Sequence, residues 1–486
     1  MPRGGRVTNE RKFSSPCLPL SNSQPPELES AVSHSKHTQL TFSNSQLSPL
    51  FFLPLFTLLL SPQPITRCIL KRMLPLDSGQ DFHPACDEDF FPALPSRSGV
   101  LLIEMGDSGA QPYLARTADI RRAAERLLRE PEHLSKRLNL RQVAARIRYR
   151  VTGSKFEQTL ALYEQAKLHF PRRYRDLMRL RPPALLKVNL RNEYPRCYVT
   201  RRISADEGFY FGPFSSRRAA DAFAEGFLDL FKIRRCQIKI RRDPDYPGCI
   251  YSEMKMCLAP CFAGCTKEDY DVETGRVLET LETTGASLTE QLEKERETAS
   301  ESLDYERAAA LHKRLEKVSA ALRGMPEVAR RIEDLDAVIL QRTAEEMTIA
   351  VFPVRAGMLA EPIFVRFAEL SSQPRSVEAI LRKELDPQAS TDAPNLPKEK
   401  TQEREAMAAH PLPPPLTEWR ARYGLRSAPP ELAEHLALLA RWFYSKPREG
   451  EIFFREADWP YRRILRACGR LLGSAEPTQF GSQHSG

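Results

Sequence analysis

The sequence predicts an α+β protein of several domains, and three observations lead to that prediction. The chain has 486 residues, which is too long for one ordinary core and implies two to four domains. Strand-like and amphipathic helical segments alternate after Gly99, and a strand period of two returns from Asp334. Between these regions, five of the ten cysteines fall within thirty residues and precede a charged stretch with helical period.

The predicted order of domains follows these changes of pattern. We expect a disordered or mis-called extension at residues 1–90, a small α/β domain at 91–180, a basic strand and helix region with a cysteine-rich segment at 181–270, a helical hairpin at 271–325, a β-rich domain at 331–386, a linker at 387–415 and a helical, aromatic region at 416–472.

The start of the chain differs in composition from the rest. Residues 1–48 are rich in Ser, Pro, Asn and Gln without any period, which is typical of disorder. The apolar run at residues 50–60 contains Pro54 and is too short to span a bilayer. The polar leader before it is too long for a signal peptide. We therefore interpret Met73 as the physiological start and expect a cytoplasmic protein without stable membrane association, with an interfacial membrane anchor as the lesser alternative.

Basic residues are in modest excess and are concentrated in one region. Lys and Arg number 72 against 63 for Asp and Glu, a net charge of +9. Between Arg116 and Arg202 acidic residues are too few to interleave with the arginines. A solvated helix face is the usual cause of such a run, but this density favours a surface that faces phosphate. The residues predicted to contact DNA are Arg116, Arg121, Arg201, Arg202 and Arg217.

The cysteines follow the spacing C-x12-C-x7-C-x3-C-x3-C from Cys236 to Cys265. Thiolates gathered by a folded loop bind zinc or an iron–sulfur cluster, whereas a reduced structural loop is the plain alternative. The spacing lacks the C-x2-C pairs of common zinc modules, which favours iron–sulfur over zinc. A disulfide framework does not suit so long and charged a chain.

The regions after Cys265 allow a plain interpretation and a functional one. Gly285 separates two helical stretches, which on their own predict an ordinary antiparallel hairpin. From Asp334, three strands and a helix at residues 376–385 are predicted.

Near the C-terminus, Trp442, Phe443, Tyr444 and Trp459 alternate with basic residues and could stack on bases. Aromatic residues on an amphipathic helix are more often part of a core.

The central residues resemble UvrC, a family of excinuclease proteins. The resemblance rests on YPR at residues 194–196, YFGPF at 210–214, MCLAPC at 256–261, which is similar to the family's RCLAPC signature, and SLDYERAAALHKRLEKV at 302–318, which resembles the UVR motif. It covers residues 94–385 and implies a GIY-YIG nuclease domain at 91–180. It also implies an iron–sulfur site on Cys236, Cys249, Cys257 and Cys261, with Cys265 as an extra cysteine.

The resemblance further implies a partner. The UVR motif of the family pairs UvrC with UvrB, so a UvrB-like subunit is expected to dock on the hairpin through its apolar stripe. The predicted contact residues are Leu303, Tyr305, Ala309 and Leu311.

The nuclease motifs depart from the family pattern. A GIY-YIG site uses a tyrosine to activate water, an arginine to offset phosphate charge and a glutamate to hold one metal ion. Here the first motif ends in Leu101 instead of tyrosine, Ala123 stands where the family has arginine, and ungapped counting from Pro171 places Leu162 at the glutamate. An active site would have to use Tyr113, Arg122 and Glu164 with Mg²⁺ or Mn²⁺. Losing a proton acceptor and a metal carboxylate favours a degenerate domain that binds DNA without cutting it.

The C-terminal part also departs from the family, which carries an RNase H-like nuclease and a helix-hairpin-helix clamp there. Residues 416–472 are too few for such a nuclease and offer no carboxylate set for two metals. The expected function is that of a UvrC-like nucleotide excision repair protein that binds DNA and UvrB with weak or lost nuclease activity. The alternatives are an active excinuclease that incises DNA beside lesions, a metal-sensing or redox-sensing protein, and an adaptor that works only through its UVR motif.

Overall fold

The structure, a computed structural model, describes residues 74–85, 87–107, 109–130, 137–204, 206, 208–370, 376–386 and 430–473. These residues belong to one compact unit that comprises residues 68–486. The predicted start at Met73, most of the predicted N-terminal extension and the whole predicted linker at 387–415 lie outside the described residues. Three sheets and the helices around them confirm the predicted α+β class.

The first sheet is antiparallel, with the order β1-β4-β2-β3. Its strand β2 is the apolar segment GVLLIEM, whose alternate side chains are buried on both faces of the sheet. Asp119 and Ser154 cap the two main helices by accepting hydrogen bonds from the backbone of Arg122 and Glu157. The elements are β1 (Ser78–Asp81), α1 (Asp87–Ala93), β2 (Gly99–Met105), β3 (Tyr113–Thr117), α2 (Ile120–Leu128), β4 (Ala144–Val151), α3 (Lys155–His169) and α4 (Tyr174–Leu177).

The second sheet has the order β6-β5-β7-β8 and shares a core with four helices. Gly285, at φ +94°, precedes the helix Ala286–Glu301, which confirms the predicted break at this glycine. The second predicted stretch is not one helix, because a turn at Leu303, φ +59°, divides it. The elements are β5 (Ala184–Asn189), β6 (Arg196–Thr200), β7 (Gly208–Phe214), α5 (Arg217–Leu228), α6 (Ile250–Glu253), α7 (Lys267–Glu282), α8 (Ala286–Glu301), α9 (Tyr305–Leu322) and β8 (Arg330–Arg331).

The third sheet has the path β11-β10-β9-β13, with β12 paired to β10. Strand β13 pairs with β9, with Phe454 opposite Ala337. The β-rich region and the C-terminal region, which were predicted as separate, therefore contribute strands to one sheet. The elements are β9 (Ala337–Arg342), β10 (Thr348–Arg355), β11 (Met358–Leu359), β12 (Ile363–Arg366), α10 (Phe367–Leu370), α11 (Val377–Leu385), α12 (Leu432–Phe443), β13 (Glu451–Phe454) and α13 (Tyr461–Gly473).

The C-terminal aromatic residues contribute to the core. Trp442 on α12 packs beside Phe156 of α3, with ring centroids 5.4 Å apart, and Phe156 also contacts Phe352 of β10. Trp459 is buried in the cluster between α11, α13 and the third sheet. The core interpretation is therefore confirmed for both tryptophans. Among the described residues, no helix combines the length and apolarity needed to cross a membrane.

Candidate functional site

The cysteine-rich segment is fixed to its surroundings by a buried arginine. The guanidinium of Arg234 donates hydrogen bonds to the carbonyls of Tyr194 and Ile238, both at 2.8 Å. Its backbone N–H donates to the hydroxyl of Tyr270, 2.9 Å away, and this hydroxyl donates to the carbonyl of Pro195 at 2.8 Å. Tyr270 is fully buried on α7. The start of the cysteine-rich segment is therefore held between two elements, the turn that joins β5 to β6 and the helix α7.

Four of the five clustered thiols are neighbours. Burial and, to a smaller extent, the thiols of Cys236, Cys261 and Cys249 raise the pKa of Cys257 to about 11, while the N–H of Ala259 opposes this shift. Burial also raises the pKa of Cys261, with further contributions from Cys249 and Cys236. The predicted ligands Cys236, Cys249, Cys257 and Cys261 are thus linked by electrostatic effects, and their binding of a metal stays a prediction.

A short 3-10 turn at Pro260–Phe262 presents Cys261. The residues before and after it, Ala259 at φ +57° and Ala263 at φ +59°, both adopt the left-handed conformation. Ala259 N–H donates to the sulfur of Cys257 at 3.3 Å. Cys265 follows this turn, and its pKa is raised by burial and by Asp269. The turn therefore places a backbone donor beside a thiol, as protein sites for thiolate-bound metals do.

The clustered thiols do not form a compact group of metal ligands in the described residues. Across the described ranges, no three Cys, His, Asp or Glu side chains are grouped tightly enough to hold one metal ion. The thiols of Cys236 and Cys249 still lie close enough to contribute to the raised pKa values of Cys257 and Cys261.

The turn between α8 and α9 is the most exposed apolar feature of the helical hairpin. Leu303 adopts φ +59° there and is 68% exposed, and Tyr305, which begins α9, is 67% exposed. Ala309 is also exposed. Leu311 is only 8% exposed and packs in the core with Leu315 and Val318. The prediction that Leu311 contacts a partner is wrong for the chain in this structure, because the apolar stripe of α9 faces its own core.

The arginines predicted to contact DNA differ in their availability. Arg116 on β3 and Arg201 and Arg202 after β6 are exposed. Arg217 is exposed at the start of α5 but forms an ion pair with Asp221 at 3.3 Å. Arg121 donates to the carbonyls of Leu94 and Pro92, at 2.8 and 2.9 Å. Arg121 therefore holds α1 against α2, and its guanidinium is not free to bind phosphate.

The three candidate nuclease residues do not converge. Tyr113 packs against the cluster on the α2 face of the first sheet, whereas its neighbour Leu114 packs against the cluster on the α3 face. Glu164 lies on α3 and accepts a hydrogen bond from Leu74 N at 2.9 Å. The side chain of Arg122 is 86% exposed on α2 and lies 3.9 Å from Asp119. Tyr113 and Glu164 are thus on opposite faces of one sheet.

A buried carboxylate in the C-terminal region has no counterpart in the sequence predictions. Glu434 on α12 is 6% exposed and accepts hydrogen bonds from the hydroxyls of Tyr163 and Tyr174, at 2.6 and 2.8 Å, and from Arg175 at 2.6 Å. Burial raises its pKa, but these three hydrogen bonds outweigh it, so the pKa lies below the ordinary value. Tyr163 and Glu434 are 271 residues apart in the chain, and no local pattern connects them.

Two family models match the central part of the chain. The model described as UvrC/Cho excinuclease, middle domain matches residues 184–280. The model described as UvrB/uvrC motif matches residues 286–321. The first match covers most of the second sheet, the cysteine segment and most of α7. The second covers α8 and nearly all of α9, including the exposed turn between them.

Several curated relatives of this chain are named UvrABC system protein C. The UvrABC system protein C of Dehalococcoides mccartyi strain CBDB1 is 27% identical over 270 residues, which cover 55% of this chain and 44% of that protein. That of Carboxydothermus hydrogenoformans is 27% identical over 284 residues, 57% of this chain and 46% of that protein. That of Nitratidesulfovibrio vulgaris is 28% identical over 269 residues, which cover 55% of this chain and 39% of that protein. The chain spans less than half the length of these relatives.

No solved structure matches the chain significantly. The two family models nevertheless coincide with the two regions that the geometry singles out, the thiol cluster and the hairpin turn. The chain is therefore UvrC-like over residues 184–321, where a region that matches the UvrC/Cho middle domain precedes one that matches the UvrB/uvrC motif.

Proposed function

We propose that this protein is a UvrC-like excision repair protein that binds duplex DNA, docks a UvrB-type subunit on the α8–α9 turn, and does not incise DNA with its N-terminal domain. The single observation that carries the proposal is the pair of exposed apolar side chains, Leu303 and Tyr305, at the tip of the hairpin that matches the UvrB/uvrC motif.

The hairpin tip has the character of a docking surface. Leu303 occupies the left-handed region, where a leucine is less favourable than glycine or asparagine, and it is exposed although it is apolar. Neither property stabilises the free chain. The left-handed conformation belongs to the turn, where Asp304 N–H donates to the carbonyl of Ala299 at 2.8 Å. The exposure is explained if a second helical hairpin covers the tip, because burying a leucine or aromatic side chain contributes about 1.5–3 kcal/mol. A UvrB-type subunit, which carries the same motif, is the partner of matching chemistry.

Replacing Leu303 with asparagine and Tyr305 with serine should weaken binding of a UvrB-type subunit at least about tenfold, because each tenfold change in affinity corresponds to about 1.4 kcal/mol. Both side chains are exposed, so the fold should be retained. The measurement is titration of the subunit by isothermal calorimetry.

Met347 offers a matched control for this experiment. It is also apolar, 51% exposed and at a positive φ of 50°, but it lies in the turn between β9 and β10. Met347→Asn should leave the affinity for the UvrB-type subunit unchanged. Equal affinities of the native chain and the Leu303→Asn/Tyr305→Ser variant would contradict the proposed docking surface.

The absence of incision is inferred from the arrangement of the first sheet. A general base and a metal carboxylate must both reach the reacting phosphate, whereas Tyr113 and Glu164 lie on opposite faces of the sheet. The carboxylate of Glu164 is also hydrogen-bonded to the backbone of Leu74. The proposed role of the GIY-YIG-like domain is therefore to bind DNA.

An iron–sulfur cluster belongs to the same proposal. Cys236, Cys249, Cys257 and Cys261 would hold it, and it would cross-link the segment between α5 and α7. The protein would contribute the N–H of Ala259 near one sulfur and the Arg234 guanidinium near Cys236, with Nη1 4.0 Å from the sulfur. Hydrogen bonds and positive charge of this kind stabilise thiolate ligands.

Protein purified without oxygen should contain iron and acid-labile sulfide in equal amounts, and Cys257→Ala should lose most of both, because one of four thiolate ligands is removed. Metal analysis and the visible absorption spectrum measure this. Cys468→Ala, which changes a buried cysteine on α13, should keep the full iron content. One zinc ion per chain, or neither metal, would contradict the cluster.

A further inference from the structure

We infer that four arginines around α4 form a phosphate-binding surface whose shape is set by α12, and this inference rests on the proposed binding of DNA. The four, called the α4 arginine surface below, are Arg172, Arg173, Arg179 and Arg181. No family match covers them, since the first begins at residue 184.

The α4 arginine surface is dense and poorly neutralised. Residues 172–181 contain five arginines and an aspartate, Asp176, as their one acidic residue. Tyr174 and Met178 anchor the segment in the core, at 8% and 6% exposure, whereas the side chains of the α4 arginine surface lie outside that core. None of its four members forms an ion pair with a carboxylate in the described parts of the chain. Only the fifth arginine, Arg175, is paired, with Glu434 at 2.6 Å.

Both ends of α4 are attached to α12. At the N-terminal end, Tyr174 and Arg175 donate to Glu434. At the C-terminal end, the guanidinium of Arg441 donates to the carbonyls of Met178 and Arg179, at 2.9 and 3.0 Å. A short stretch of chain therefore makes two contacts with one helix, which holds α4 in one orientation.

Arg441 also binds a residue of unusual backbone conformation, which forms the left-handed cap at the end of α4, where Leu180 N–H donates to the carbonyl of Arg175 at 2.8 Å. Arg179 adopts φ +49°, a left-handed conformation that costs energy for any residue with a side chain. Its carbonyl accepts one of the two hydrogen bonds from Arg441. Arg179 follows the last turn of α4 and is exposed, like the rest of the α4 arginine surface.

The surface extends toward a residue already predicted to contact DNA. The positive charge of Arg116 on β3 lowers the pKa of Arg441, in addition to the larger effect of burial, so Arg116 lies near the end of α4. Exposed guanidinium groups held by a rigid support are suited to phosphate oxygens, which they bind through paired N–H donors. A double-stranded nucleic acid presents such phosphates in a regular row.

The test compares variants by fluorescence anisotropy with a fluorescein-labelled DNA duplex over a series of KCl concentrations. Arg172→Ala/Arg173→Ala should weaken binding about tenfold and reduce the slope of log K against log[KCl] by about 2, because each lost phosphate contact reduces it by about 0.9. Arg179→Gly should reduce the slope by about 1, and glycine suits the positive φ there, so this variant should fold.

Arg462→Ala/Arg466→Ala is the matched control, since it removes two arginines from α13 that lie outside the core. Its slope and affinity should equal those of the native chain. If the native chain binds the duplex and both α4 variants keep its slope and affinity, the inference that the α4 arginine surface binds phosphate is wrong, while the proposed DNA binding is retained. If the native chain does not bind the duplex, the proposed DNA binding falls together with this inference.

Discussion

Replacing Glu434 with alanine is expected to lower the free energy of unfolding by about 3–5 kcal/mol, the range for removing one partner of a buried charged network. The carboxylate accepts three hydrogen bonds, and two of the donors, the hydroxyls of Tyr163 and Tyr174, would be left in the core at 2% and 8% residue exposure. Unsatisfied buried donors carry the full cost of desolvation. Urea unfolding followed by tryptophan fluorescence measures the change, since Trp442 lies on the same helix.

A triple variant separates the hydrogen bonds from the packing. In Glu434→Leu/Tyr163→Phe/Tyr174→Phe the carboxylate and both hydroxyls are removed together, and Arg175, whose side chain is 62% exposed, can turn to solvent. Replacing a buried polar network by apolar groups of similar volume is often neutral, so this variant should recover most of the lost stability. A loss below about 1 kcal/mol for Glu434→Ala, the size of one ordinary hydrogen bond, would contradict the interpretation.

The pH dependence of the Glu434 effect has a defined sign. Its pKa in the folded chain is lowered, so the unfolded chain binds the proton more tightly. The stabilisation is therefore complete above the ordinary value of 4.5 and is lost as the pH falls through the folded pKa. The difference between the native chain and Glu434→Ala should shrink in acid.

Arg331→Met is also expected to lower the free energy of unfolding by about 3–5 kcal/mol at pH 8, because a buried pair again loses one partner. The side chain of Arg331 is 4% exposed and forms ion pairs with Glu282 at 2.5 Å, Asp334 at 2.8 Å and Glu333 at 3.6 Å. Removing its charge leaves these carboxylates together at the junction of α7, β8 and the entry to β9. Urea unfolding at two pH values is the measurement.

The loss should be smaller at pH 5. Burial raises the pKa of Glu282 to about 7, although Arg331 lowers it. A raised pKa means that the folded chain binds the proton more tightly, so this group contributes stability below the ordinary value of 4.5 and loses that contribution as the pH rises through about 7. At pH 5 Glu282 is mostly protonated in the folded chain, and losing its cationic partner costs less.

The neighbouring arginine provides the control for Arg331. Arg330 lies over the ring of Phe454, 4.5 Å from its centroid, and forms no ion pair with a carboxylate in the described residues. Arg330→Met should cost about 2 kcal/mol at most, the scale of a partly desolvated cation–π contact, and its cost should not change between pH 5 and pH 8. Equal losses for the two variants at both pH values would contradict the role given to the Arg331 ion pairs.

Local features of this fold could be predicted well from the sequence. The strand β2 and the break at Gly285 follow from neighbouring residues, whose spacing determines which side chains share a face. The resemblance to UvrC rested on other short segments, at residues 194–196, 210–214, 256–261 and 302–318, and the family matches that span them confirm it.

Features that depend on distant pairing could not be predicted. The place of β13 beside β9 and the three hydrogen bonds to Glu434 join residues more than a hundred positions apart, and nothing in either local pattern specifies the partner. Leu311 shows the same limit on a smaller scale. Its helical period predicts an apolar face, but only the packing of α9 decides whether that face meets another protein or the chain's own core.

The late position of β13 has a consequence for synthesis of the protein. The third sheet is incomplete until the ribosome has translated Phe454, whereas β9 is translated more than a hundred residues earlier. Until then the strand AVILQR presents an open, apolar edge on the nascent chain, and such edges invite pairing with other chains. Chaperone capture during this interval, and aggregation when translation is interrupted before residue 454, are the expected results.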